Sequence, residues 1–231
     1  MVNQVILLAG GKGTRMRELT ETIPKPMVEI GGIPVLTHLM NIFKNFQEFS
    51  FLVATGYKSN LIEEYYKSTD QVNTFDTGEE TNTGGRVFKI KDSLEDKFIV
   101  TYGDGLANVN ISELINFHNS HSKIGTVTVT NPISRFGLVE FNEENLVTKF
   151  VEKPKLDGFI NIGFMVFDKS VLNYLDSDSV LETEPLINLS KDSELMSFVH
   201  DGYFEPMDTY REYLQLNEYW ESGNPPWMTF K

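Results

Sequence analysis

The chain has 231 residues, 20 basic against 33 acidic, and its net charge of −13 argues against a nucleic-acid or anionic-membrane surface. With 40% hydrophobic residues it can bury a substantial core, and with no cysteine it can form neither disulfides nor thiolate metal sites. No apolar run approaches a membrane span, and the N-terminus enters a strand without a signal-peptide pattern, so a soluble cytoplasmic protein is expected.

Val5-Ile6-Leu7-Leu8 reads as a buried strand that empties into Ala9-Gly10-Gly11-Lys12-Gly13-Thr14-Arg15-Met16. Gly10, Gly11 and Gly13 let the backbone approach a ligand and aim its N–H groups at anionic oxygens. Arg15 adds a fork suited to phosphate, and Pro24-Lys25-Pro26-Met27 supplies a second cation held between prolines. The dinucleotide fingerprint fails here, because Gly11-Lys12-Gly13-Thr14-Arg15-Met16 lacks its last glycine, and no segment fits the P-loop.

Gly31-Gly32 makes a turn and Pro34 opens a helix with Val35, Leu36, Leu39, Met40, Phe43 and Phe46 at helical spacing. Phe49 to Thr55 reads as a second buried strand, and Leu61, Ile62, Tyr65 and Tyr66 mark a short amphipathic helix. Strand, helix, strand, helix is the grammar of a parallel sheet covered on both faces. Ser68 to Gly85 is polar and weakly patterned, and its first part reads as a surface loop. It ends in Thr83-Gly84-Gly85-Arg86, which enters a helix with Val87 and Ile90 on one face and suits a base or phosphate contact.

Phe98 to Tyr102 is the next buried strand, and Gly103-Asp104-Gly105 stands at its carboxyl end, where ligands bind in open α/β sheets. Asn110 caps a helix through Leu114, Ile115 and His118, followed by a strand from Gly125 to Thr130. His118 and His121 have a spacing that can serve a metal, but no carboxylate or cysteine accompanies them in the sequence. From Asn131 the pattern shifts to shorter strands: Gly137 to Phe141, Leu146 to Val151 and Phe159 to Phe167, with Glu143-Glu144-Asn145 as a hairpin turn. Two short helices are expected at 170–175 and 184–190, then a strand from Met196 to His200. Thr209 caps a helix carrying Tyr213, Leu214, Leu216, Tyr219 and Trp220, so Asp208 sits just before a helix start.

The glycine loop and Pro24-Lys25-Pro26-Met27 match the signature of the sugar-1-phosphate nucleotidylyltransferases, which the chain resembles. Further collinear matches are Thr83 to Arg86, Tyr102-Gly103-Asp104-Gly105, Glu152-Lys153-Pro154, Asn161-Ile162-Gly163-Phe164 and Phe204 to Thr209, covering nearly the whole chain. Within that family, Met27 to Gly32, Tyr102 to Gly105 and Pro206-Met207-Asp208-Thr209 look most like the glucose-1-phosphate cytidylyltransferases, which make CDP-glucose for surface polysaccharides. The resemblance implies an α/β fold: a Rossmann-like, mostly parallel mixed sheet flanked by helices, with a small β-rich acceptor-binding part. It makes residues 1–130 a nucleotide-binding half and residues 131–231 a sugar-phosphate-binding half with the C-terminal helix.

The resemblance also implies roles. Leu8, Ala9, Gly10, Gly11, Gly13 and Thr14 would cradle the CTP triphosphate and pack on the base, with Arg15 on the departing pyrophosphate. Lys25 would neutralise charge at the reacting phosphates, making Arg15, Lys25 and Asp104 the catalytic set. Asp104 and Asp208 would hold one Mg²⁺, and Tyr102 and Gly103 would line the nucleotide site. Gly84 and Arg86 would meet the cytosine. Glu152 and Asn161 would contact sugar hydroxyls, Lys153 the sugar phosphate, and Asp208 the acceptor side. The partners implied are CTP and a phosphorylated acceptor, glucose 1-phosphate first, with no nucleic acid, no membrane and a homo-oligomer among the options. A different acceptor, a different nucleotide, and a silent relative that binds nucleotide sugars stay open. Two features depart from the family pattern: the connection from Tyr66 to Asp76 is short, and Ile162 stands where the acceptor motif has glycine.

Overall fold

The computed structural model describes residues 2–229. Its centre is an eight-stranded sheet to which residues on both sides of position 130 contribute. The first strand, β1 (Gln4–Leu8), is buried along its whole length, as an unbroken apolar run requires when both faces are covered. A short helix α1 (Arg17–Thr20) follows the glycine loop, and a small hairpin of β2 (Glu29–Ile30) and β3 (Ile33–Pro34) leads into α2 (Val35–Lys44). The strand β4 (Ser50–Thr55) and the helix α3 (Ser59–Tyr66) complete the first strand–helix alternation.

The polar stretch after Tyr66 differs from the expected loop, for it contains a strand, β5 (Val72–Asp76), parallel to β4. It is the edge of the sheet, where one side of the strand faces no neighbour and polar residues are tolerated, so it lacks the apolar run that marks β1 and β4. Next come α4 (Thr83–Lys89), the buried strand β6 (Lys97–Tyr102), the short β7 (Gly105–Ala107) and α5 (Ile111–Asn119). Asn110 caps α5 by accepting from Glu113 N at 3.1 Å.

Past β8 (Gly125–Thr130), the chain makes an isolated hairpin of β9 (Leu138–Phe141) and β10 (Val147–Val151), every residue of which is exposed. The strand expected from Phe159 to Phe167 is instead two, β11 (Ile160–Asn161) and β12 (Met165–Asp168). Gly163 (φ 82°) and Phe164 (φ 51°) both adopt left-handed backbone, which no strand can carry through. Asn161 builds this bend, its side-chain oxygen accepting from Gly163 N at 3.0 Å. A 3₁₀ turn (Lys169–Tyr174), α6 (Glu184–Lys191), β13 (Leu195–Val199), β14 (Phe204–Pro206), α7 (Tyr210–Glu221) and a last 3₁₀ turn (Pro226–Met228) complete the described chain.

In the sheet, β6, β1, β4 and β5 are parallel neighbours, β12 runs antiparallel to β6 and β8, and β13 is parallel to β8. Apolar clusters fill both faces, one centred on α2 with Phe43, Phe51 and Phe164, the other on Phe98, Phe167 and Leu189. The carboxyl ends of β1, β5 and β6 point the same way, and residues from the connections leaving them line one cleft.

Candidate active site

The cleft measures about 540 Å³ and is open to solvent. The glycine loop forms its floor. Gly13 takes a left-handed backbone (φ 60°), and its carbonyl accepts from Met16 N at 3.0 Å and Thr20 Oγ1 at 2.9 Å, which turns the chain into the 3₁₀ segment that bears Arg15. The N–H groups of Gly11, Lys12, Gly13 and Thr14 donate to no protein acceptor among the described residues. Unpaired donors in a row at the end of a strand form a concavity suited to anionic oxygens.

One wall carries the charge. The Lys25 ammonium lies between two carboxylates, donating to Asp104 and to Asp208, the latter at 2.6 Å. Arg15 donates to the other oxygen of Asp208 at 2.8 Å. The aspartates are about a hundred residues apart in sequence, and backbone pairing brings them together: β14 runs antiparallel to β7 with Pro206 opposite Gly105, and Met207 N donates to the Asp104 carbonyl at 3.0 Å. A capping box then fixes Asp208. Thr209 Oγ1 accepts from Glu212 N, while Glu212 Oε2 accepts from the N–H groups of both Asp208 and Thr209 at 2.8 Å. Burial works against the Lys25 charge, but the two carboxylates more than offset it and its pKa lies above the ordinary lysine value. Burial likewise opposes the Asp208 carboxylate, and Lys25 and Arg15 outweigh it, holding its pKa below the usual range.

Asp104 and Asp208 share one cation, so a divalent ion can take the same two carboxylates. Among the described residues no group of three or more His, Cys, Asp or Glu gathers to hold a metal by itself. Two hard oxygen donors with room for substrate phosphates are the set that Mg²⁺ uses. His118 and His121 form no such site. Lys123 N donates to His121 Nδ1, so His121 donates through Nε2 to Thr126 Oγ1, which leaves the threonine proton for His118 Nδ1 and the His118 Nε2 proton for Asp168. Both imidazoles are thereby held neutral, and burial lowers the pKa of each.

Arg86 lines the cleft as well. It is 4% exposed, and its two terminal nitrogens donate to the carbonyls of Gly10, Thr55, Gly78 and Glu79 and to Thr77 Oγ1. The terminal donors expected to read cytosine are thus engaged by protein acceptors in this structure. Arg86 ties the glycine loop to the ends of β4 and β5, and a Cβ on Gly10 would collide with it. Gly84 is the neighbour expected beside the cytosine. It does not line the cleft, and its missing side chain admits Ser179.

Leu8, Ala9, Gly10, Gly11, Gly13, Thr14, Arg15, Lys25, Arg86, Tyr102, Gly103, Asp104, Asn161 and Asp208 all line the cleft. Glu152 and Lys153 do not. They follow the exposed hairpin, where the Glu152 carboxylate lies beside Gly137 and Lys153 has left-handed backbone (φ 46°). Ile162 is buried at the cleft wall with a negative φ, so glycine is not required there.

A model for nucleotidyl transferases matches residues 4–221. The chain belongs to the nucleotidyl transferase family. It is 38% identical over 257 residues to the glucose-1-phosphate cytidylyltransferase of Salmonella typhi, covering 99% of this chain and 100% of that protein. The same figures hold for the glucose-1-phosphate cytidylyltransferase of Salmonella typhimurium. The alignment exceeds the 231 residues of this chain, so these relatives carry residues it lacks. Among solved structures it is similar to HddC from Yersinia pseudotuberculosis, with a TM-score of 0.73 at 25% identity over 95% of this chain and 100% of that one.

Family membership makes the chain an enzyme of nucleotidyl transfer with the fold of the nucleotide-diphospho-sugar transferases. Four cleft residues had no signal in the sequence: Thr81 and Asn82 before α4, and Val180 and Glu182 before α6. They come from loops without apolar periodicity or a glycine-rich motif. The sequence Leu181-Glu182-Thr183-Glu184 looks like an ordinary acidic helix start.

Proposed function

We propose that this enzyme is a Mg²⁺-dependent cytidylyltransferase that joins CTP and glucose 1-phosphate into CDP-glucose and pyrophosphate. The observation that carries the reading is the meeting of Arg15, Lys25, Asp104 and Asp208 beside a loop of unpaired N–H groups. The full-length similarity to glucose-1-phosphate cytidylyltransferases supports the choice of substrates.

A phosphate monoester has a second pKa of about 6, so near neutral pH the acceptor is already largely a dianion and needs no general base. Its oxygen attacks the α-phosphorus of CTP in line, the new P–O bond forms, and the bond to the β-phosphate oxygen breaks to release pyrophosphate. Catalysis then rests on positioning and on stabilising charge. The glycine loop takes the triphosphate on its free N–H groups. Lys25 moves its hydrogen bonds from the aspartates to the reacting phosphate, and Arg15 takes the leaving pyrophosphate. Mg²⁺ held by Asp104 and Asp208 would neutralise phosphate charge. Tyr102 and Asn161, whose side chains meet in the cleft, suit the hydroxyls of a sugar.

We infer further that the enzyme works in the cytoplasm, where its nucleotide is made, and as a homo-oligomer. The hairpin of β9 and β10 leaves Phe136, Phe141 and Phe150 63–77% exposed, and such an isolated hairpin is marginally stable in water at best. Residues 133–160 carry four basic and five acidic side chains in a chain of net charge −13. This near-neutral segment is where two copies can meet with least repulsion.

The test is a matrix of nucleoside triphosphates against phosphorylated acceptors, scored by pyrophosphate release with Mg²⁺. CTP with glucose 1-phosphate is expected to stand out. Turnover only with another acceptor would reassign the substrate, and tight binding of CDP-sugars without turnover would remove the enzymatic reading.

A further inference from the structure

Glu182 is a carboxylate in the cleft that no part of the reaction above uses. Its Oε1 accepts from Tyr102 Oη at 2.7 Å and its Oε2 from Thr83 Oγ1 at 2.7 Å. Asp104 and Asp208 are neutralised by Lys25 and Arg15, whereas Glu182 has no cation partner among the described residues. An ionised carboxylate has about four acceptor positions, so roughly two are left after these bonds.

The mounting of this side chain is elaborate for a surface loop. Gly85 N donates to Ser179 O at 2.9 Å, Asn82 Nδ2 to Asp178 O at 3.0 Å, and Leu181 N to Thr83 Oγ1 at 2.9 Å. Thr83 thus accepts from the backbone next to Glu182 and donates to its side chain. Asp176 closes the loop on itself, accepting from Asp178 N and Ser179 Oγ. A Cβ on Gly84 would crowd Ser179, and one on Gly85 would collide with Ser177 O. The paired glycines that open α4 therefore serve to seat residues 177–181, and with them Glu182, against the cleft.

An unpaired carboxylate repels phosphate, which places no phosphate beside it. What it can bind is a neutral donor. Through Tyr102, Glu182 is linked to Asn161, the residue expected on the sugar hydroxyls, and all three line the cleft. Glu152, the carboxylate expected to hold the acceptor, is out on the hairpin. We propose that Glu182 is a specificity-determining residue that accepts a hydrogen bond from a hydroxyl of the sugar acceptor, with Tyr102 and Thr83 holding its orientation. This rests on the reading of the enzyme as a sugar-phosphate cytidylyltransferase.

The experiment is a cycle of protein and substrate changes. Steady-state constants are measured for the unaltered enzyme, Glu182→Gln and Glu182→Ala with CTP, against glucose 1-phosphate and its 2-, 3-, 4- and 6-deoxy analogues. For Glu182→Ala, kcat/KM for glucose 1-phosphate should fall roughly 10- to 100-fold, the range for losing a hydrogen bond to a charged group. The KM for CTP should stay within about twofold, and Glu182→Gln, which keeps one acceptor, should fall less. One deoxy analogue should be insensitive to the substitution, because it lacks the hydroxyl that Glu182 binds. Tyr102→Phe, which acts through the orientation of Glu182, should cost less than Glu182→Ala and should spare the same analogue.

Losses of equal size for every analogue would overturn the proposal and leave Glu182 a structural clasp between the loop and α4. A loss carried by the KM for CTP, or a narrowed preference for CTP over UTP, would overturn it in favour of a contact with the base. No pyrophosphate release by the unaltered enzyme with any of these acceptors would instead sink the underlying reading, and this proposal with it.

Discussion

Two residues show how far chemistry can be read from a motif. The lysine between prolines and the aspartate between glycines point to charge handling because rigid prolines pin the one in a short turn and an apolar strand delivers the other at its carboxyl end. Their meeting with Asp208 depends on β7 and β14 pairing, a long-range event with no local sequence mark. If the two carboxylates hold the metal, Asp104→Asn and Asp208→Asn should each lower turnover by at least about a hundredfold with the fold intact. Near-normal kcat for either variant at low Mg²⁺ would reduce that aspartate to an ion-pair partner of Lys25. Arg86 teaches the opposite lesson. A guanidinium at a helix start beside glycines resembles a base reader, but burial leaves its terminal donors on carbonyls of Gly10, Thr55, Gly78 and Glu79. Removing such a cation orphans several buried acceptors at once. Arg86→Ala should therefore depress kcat/KM for CTP and UTP by the same factor and lower Tm. A drop confined to CTP would restore the base-reading role.

At the level of elements, apolar runs were the readable feature, and their interruptions were not. The strands β1, β4, β6 and β8 and the helices α2, α5 and α7 all follow from periodicity and caps. The edge strand β5 was hidden by its polar composition, and the break between β11 and β12 by left-handed backbone at Phe164, a residue that rarely accepts it. The Gly84-Gly85 pair is visible in the sequence, yet its use depends on a loop almost a hundred residues away. Because a Cβ at Gly85 meets backbone and not a flexible side chain, Gly85→Ala should displace residues 177–181. The expected result is a raised KM for the acceptor with little change in the KM for CTP, measured by pyrophosphate release at saturating partner. An unchanged acceptor KM would show that the loop absorbs the extra atom without moving Glu182.

For the whole molecule, proton linkage and assembly follow from what is buried and what is not. His38, His118 and His200 are at most 8% exposed, and burial lowers the pKa of each. The unfolded chain takes up these protons near pH 6.5, while the native state resists them until lower pH. Stability should accordingly fall as pH drops from about 7 to 5, seen as a decline in Tm. His118→Gln, which takes no proton in that range, should make the decline shallower; an unchanged slope would assign it to other groups.

The proposed assembly rests on the hairpin, whose strands were legible in the sequence but whose exposure was not. Large apolar side chains are exposed along the hairpin, and exposed patches of this kind mark interaction sites. A contact between identical hairpins about a twofold axis is self-complementary, so one apolar patch suffices for both partners. Phe136 and Phe141 are 77% and 65% exposed, and neither belongs to the two core clusters, so replacing them should spare the monomer fold. The purified enzyme is expected to run as a dimer or higher oligomer by light scattering at micromolar concentration. Phe136→Ser with Phe141→Ser should shift it toward monomer while circular dichroism stays unchanged. A monomer at every concentration for the unaltered enzyme would leave the hairpin free for a different partner, and an oligomer indifferent to both substitutions would move the interface elsewhere on the surface.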